Sequence, residues 1–123
     1  MGISNESNRS EMAVSVGALA ATRKVVLMKA HKKVTLKSIS LLDSAAVAAH
    51  ADNYVSAQLQ VDGANSGDAV DTKLGVAALA SLALDGADLD LEKDEVLSVI
   101  LTKAGTGALT DASICIDHIV VGN

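Results

Sequence analysis

Apolar and polar residues alternate with a period of two along most of the chain. The clearest case is Tyr54 to Val61. There Val55, Ala57, Leu59 and Val61 alternate with Tyr54, Ser56, Gln58 and Gln60, the signature of a half-buried strand. Met12, Val14 and Val16 alternate with Ala13 and Ser15 and predict a first strand, and Val25-Val26-Leu27-Met28 predicts a second. Val34 to Leu42 predicts a third. Its apolar parity changes from Val34 and Leu36 to Ile39 and Leu41, which implies a β-bulge or a bend between sheets. Leu89 and Leu91 alternate with Asp88, Asp90 and Glu92, and Val96 to Leu101 is almost wholly apolar, as a central strand should be. The two read as a strand pair closed by the charged turn Glu92-Lys93-Asp94-Glu95. A last strand is expected over Ser113 to Val121. Ile114, Ile116, His118 and Val120 share one of its faces, and Cys115, Asp117, Ile119 and Val121 the other.

The segments between are less regular. Asp62-Gly63 is a turn dipeptide, and Asn65-Ser66-Gly67-Asp68 continues as a loop. Asp43 or Ser44 could cap a short helix over the Ala-rich stretch to Asn53, or that stretch could be a long crossing loop. Leu74 to Leu84 is helical by propensity, yet its apolar residues share even parity, which favours a long strand. Short strands at this spacing predict an all-β sandwich or barrel of two facing sheets over residues 23–123, with at most one or two short helical segments. Residues 1–22 are expected to be an extended N-terminal arm. Residues 1–11 have the composition of a tail that orders only against a neighbour.

Composition sharpens this picture. The chain has 123 residues and 50% of them are hydrophobic, but there is no Phe or Trp, and Tyr54 is the one aromatic. The core must be aliphatic and thin. More apolar surface is present than one small sandwich hides, so association of identical subunits through Ala, Val, Leu and Ile is expected, with Val96, Ile100, Ile114 and Ile116 at the interface. Net charge is −5, but it is divided. Residues 1–42 carry seven basic residues against Glu6 and Glu11, and residues 43–123 carry three against thirteen acidic ones. A basic N-terminal third without aromatics, joined to an acidic body, does not suit nucleic acid. The longest uncharged apolar run, Leu74 to Leu84, is too short for a membrane span, and residues 1–10 have no apolar segment of a secretory signal. Neither a nucleic-acid partner nor a membrane partner is expected.

No catalytic constellation stands out, and the expectation is a protein that is not an enzyme. His31, His50 and His118 share no metal-ligand spacing, so neither a metal nor another cofactor is expected. Asp85, Asp88, Asp90, Glu92 and Asp94 are dense but do not follow a calcium loop, and read as a solvated face. Gly105-Thr106-Gly107 lacks the Lys-Ser/Thr of a phosphate loop and reads as a turn. Cys115, within an apolar run, reads as a buried, inert thiol.

The order of segments, with Val34 to Leu42, Tyr54 to Gly63, Asp88 to Leu101 and Ile114 to Val121, resembles the jelly-roll decoration (capsid-stabilising, or cement) proteins of tailed bacteriophages. Lys93-Asp94-Glu95-Val96-Leu97-Ser98-Val99 stands where that family has a turn of the form Gly-Asp-x-Leu-x-Val, with Lys93 at the Gly position and one extra residue before Leu97. The resemblance implies a two-sheet jelly-roll-like sandwich, usually a homotrimer, made in the host cytoplasm and seated on the outside of the virion. An N-terminal arm would grip the major capsid protein. Met12, Val14, Val16, Arg23 and Lys24 are the residues of this chain expected to do so. The alternatives are a phage fibre or adhesin domain that recognises a host surface and, third, a cupin-type enzyme, for which the histidine cluster is missing.

Overall fold

In the computed structural model, which describes residues 9–121, every regular element is a strand. In chain order these are β1 (Arg9–Leu19), β2 (Arg23–Lys29), β3 (Val34–Asp43), β4 (Tyr54–Val61), β5 (Ala64–Asn65), β6 (Val70–Asp71), β7 (Leu82–Ala83), β8 (Asp90–Leu91), β9 (Val96–Ala104) and β10 (Leu109–Val120). One antiparallel sheet runs β1-β10-β3-β7, with β8 also on β3. The other runs β2-β9-β4-β5, with β6 also on β4. With β5 and β6 taken as one position and β7 and β8 as another, successive strands cross between the sheets except at the β4–β5 hairpin, and the last strand lies between the first and third. This is the winding of a jelly roll.

The alternation read from sequence explains the core. Leu36, Ile39, Leu41, Ile114 and Ile116 of the first sheet pack with Val55, Ala57, Leu59, Leu97, Val99 and Leu101 of the second in one buried aliphatic cluster. The expected bulge is present. Asp117 pairs with Ser38 but His118 pairs with Leu36, so Lys37 is the extra residue that switches the inward parity of β3. A second bulge at Leu27 in β2 turns that leucine inward and leaves Val26 exposed. Asp62 and Gly63, both at positive φ, close the two-residue hairpin between β4 and β5.

One open alternative is decided and four expectations change. Of the two readings for residues 44–53, the crossing loop is the one observed, with no helix. Residues 74–84 are not a long strand. Gly75 at φ 85° and Leu79 at φ 59° break the extension, Val76 forms a single bridge to Val47, and only Leu82–Ala83 pairs with β3. The charged turn at 92–95 does not close a hairpin, because Leu91 pairs with Val34 in the first sheet while β9 belongs to the second. The sandwich starts earlier than residue 23. β1 is an edge strand of the first sheet, with Val16 and Leu19 buried, so residues 9–19 of the expected arm lie in the domain itself, while residues 1–8 lie outside the described residues. Ile114 and Ile116 are within the core and are not free for a trimer interface, whereas Val96 and Ile100 are only half-buried.

Candidate functional site

The two ends of the sandwich differ in chemistry, and the difference follows from which connections the winding collects at each. One end gathers residues 30–33, the hairpin turn at Asp62-Gly63 and the turn 92–95, a set dense in Lys, Asp and Glu. The other gathers residues 20–22, 44–53, 72–81 and 105–108. Among these, Asp52 and Lys73 are the charged residues, and the rest are mostly Ala, Gly, Thr, Leu and Val.

The uncharged end is held together by specific bonds. The Asp43 carboxylate, buried at the end of β3, accepts the amides of Thr110 at 2.9 Å and Asp111 at 2.8 Å, and its carbonyl accepts the amide of Leu79 at 2.8 Å. Buried Thr72 exchanges bonds with Val55 of β4. Its amide donates to the Val55 carbonyl at 3.0 Å, and its Oγ1 accepts the Val55 amide at 3.1 Å. Val47 and Val76 exchange amide bonds, and the His50 amide donates to the Lys73 carbonyl at 3.0 Å. His50 Nδ1 accepts the amides of Asp52 and Asn53 at 3.0 and 2.9 Å, so this histidine caps a turn. Asn53 Oδ1 accepts the Thr106 amide at 2.9 Å, and Lys103 ties residues 20–22 to β9 through Thr22 and the Ala20 carbonyl. The Lys73 ammonium lies 4.6 Å from the centre of the Tyr54 ring.

On this clamped surface two leucines face outward. Leu74 is 95% exposed and Leu79 is 68% exposed. Leu79 also holds a left-handed backbone at φ 59°, which costs a non-glycine residue roughly 1–2 kcal/mol. Exposed Ala46, Ala48, Ala77 and Ala78 lie in the same two connections. A strained, solvent-facing leucine held in place by the main-chain carbonyl of buried Asp43 is an expensive arrangement for the isolated chain. Sequence alternation hid it, because Leu74 shares the parity of the inward-facing Leu84 and Leu79 does not stand out from its alanine neighbours.

The other expected sites disperse. Val16 is buried and its carbonyl accepts a bond from the Arg23 guanidinium. Met12 and Val14 are half-buried along β1, and Lys24 is exposed on β2. The acidic string separates onto different partners. Asp85 accepts the Asp68 amide at 2.7 Å, Asp88 meets Lys37 at 3.6 Å, and Glu92 meets Lys33 at 3.5 Å. Among the described residues, no three His, Cys, Asp or Glu side chains come together as a metal site would require. Cys115 is not in the core. It lies half-buried on the outward face of β10, in a shallow concavity of about 400 Å³ lined by Ala13, Ser38, Ser40 and Asp117 among others. Beside it Arg9 Nε donates to both oxygens of Asp117 at 2.9 and 3.0 Å. That hydrogen bond holds the carboxyl below the usual aspartate range, against the opposing effect of burial. The ion pairs Arg9–Asp117, Lys33–Glu92 and Lys37–Asp88 join the basic third to the acidic remainder, so part of the charge division is satisfied within the chain.

No family model, curated protein or solved structure matches the chain.

Proposed function

We propose that the chain is a virion structural protein, a decoration or cement protein that binds the outer surface of a phage head through its uncharged end. By bridging major capsid protein subunits it favours the assembled shell over the dissociated one, a mass-action effect that needs no chemistry at the site. The observation that carries this reading is the pair Leu74 and Leu79, presented on a surface tied to the sheets by Asp43 and Thr72. A pre-clamped apolar surface loses little freedom on docking, so most of the gain from burying it is retained as affinity. The resemblance to decoration proteins supports the same assignment, with the anchor moved from the N-terminal segment to the connections 44–53 and 72–81.

The test is binding of the purified chain to undecorated shells of the same virus, wild type against Leu74→Ser and Leu79→Asn. Burying a leucine contributes roughly 1.5–3 kcal/mol, so each substitution should weaken attachment by about tenfold or more. Asparagine tolerates the left-handed backbone, so Leu79→Asn should leave thermal stability unchanged or raise it. If both variants decorate shells as tightly as wild type, the uncharged end is not the seat. If wild type ignores shells but binds host cells, the chain is a fibre or adhesin domain instead.

A further inference from the structure

Each sheet of a sandwich has two edges, and an unpaired edge is a template for another strand unless something blunts it. Three of the four edges here are blunted. On one side the sheets end in the two-residue strands β7, β8, β5 and β6, too short to template a partner. On the other, β2 carries Arg23, Lys24 and Lys29, which would oppose like charges in any self-pairing. The fourth edge is β1. It is eleven residues long, with β10 on one side and no strand among the described residues on the other. From Ser10 to Val16 it contains no Lys, no Pro and one charged residue, Glu11. Its inward row is buried at Val16 but only half-buried at Met12 and Val14.

We infer that β1 is a self-association edge, pairing antiparallel with β1 of a second copy about a twofold axis at Ala13. In that register Met12 lies opposite Val14 of the other copy, so each half-exposed apolar side chain is covered by the other's. Glu11 lies opposite Ser15, where the regular stretch of β1 ends because its register shifts between Ser15 and Gly17, so no like charges face each other. Arg9 and Glu11 also make this strand neutral on a chain of net charge −5, where most other approaches of two copies meet repulsion. The first sheets of the two copies then form one continuous sheet. The inference does not depend on what the uncharged end binds.

Sedimentation of the full chain at micromolar concentration should give twice the 12.5 kDa of one chain. Ala13 is exposed on the outward face, so Ala13→Lys sets two lysines opposite each other and should yield a monomer with an unchanged circular dichroism spectrum. Ala13→Cys, made with Cys115→Ser because Ala13 and Cys115 are direct cross-strand neighbours, should oxidise to a covalent dimer. Glu11→Cys in the same background should do so only when paired with Ser15→Cys. A monomeric wild type overturns the proposal, including one whose β1 amides are protected from exchange because residues 1–8 cover the edge. A dimer that survives Ala13→Lys, or one that cross-links through Glu11→Cys alone, also overturns it.

Discussion

A methyl group on Gly107 would lie 2.1 Å from the carbonyl oxygen of Tyr54 and under 3 Å from two more of its backbone atoms. These are main-chain atoms of β4, which cannot rotate away, so the glycine is required by packing rather than by any ligand. Gly107→Ala should cost about 2 kcal/mol in chemical denaturation, in the range of overpacked buried sites. Asp117 has a different signature. Its carboxyl is more acidic folded than unfolded because Arg9 donates to it, so its stabilisation is present above the unfolded pKa and lost as pH falls through the folded one. The stability gap between wild type and Asp117→Asn should therefore be largest at neutral pH and shrink as the pH is lowered past the ordinary aspartate value of 3.8, measured by urea unfolding across that range. Neither residue was marked by its neighbours in sequence. Gly107 looked like a loop glycine, and the partner of Asp117 lies 108 residues away.

At the scale of elements, what the sequence disclosed is what local parity controls. The change of inward register within β3 was legible because a bulge leaves a mark in the alternation itself, at Lys37. β4 and the hairpin at Asp62-Gly63 were legible because side chains and turn chemistry agree there. The connection 72–81 was not. Its even-numbered apolar residues suggest a strand, and what stops one is a pair of left-handed residues, Gly75 in a local turn closed on Thr72 and Leu79 bonded to distant Asp43. Asp43 likewise resembles a helix cap because caps and cross-chain clamps use the same carboxylate chemistry, and nothing local reveals that its acceptors serve Thr110 and Asp111. Asp43→Ala should cost about 2 kcal/mol, as expected for a hydrogen-bonded carboxylate removed from two amides. Hydrogen exchange should quicken first at Thr110 and Asp111, the two amides that lose their acceptor.

The loops at one end of the molecule are dense in Lys, Asp and Glu, and those at the other carry Leu74 and Leu79 with Asp52 and Lys73 as their charged residues, an arrangement set by the winding. The sequence showed a charge division by residue number, basic first and acidic after. In space the ion pairs Lys33–Glu92 and Lys37–Asp88 fold that division onto itself. Attachment through Leu74 and Leu79 should change little between low and moderate salt, whereas attachment through the basic side chains of Arg23 and Lys24, which start β2 beside the same end, would weaken with salt. Shell binding measured across a salt series separates the two. The aliphatic, two-sheet character of the fold was legible from the missing aromatics and the density of alternation. The destination of each turn was not, because hairpin closure and a crossing between sheets use the same residues at 92–95.

The position of β10 has a consequence for how the protein is made. It is the last strand in chain order, yet it lies inside the first sheet, between β1 and β3. During synthesis β1 and β3 leave the ribosome with a strand's width of sheet missing between them, and no earlier segment can fill it. The first sheet therefore closes only after residue 120 has emerged, and folding is a late, long-range event of the slow kind expected when distant segments must meet. Nascent chains stalled before residue 109 should stay protease-sensitive, and release of β10 should convert them to the resistant form in one step.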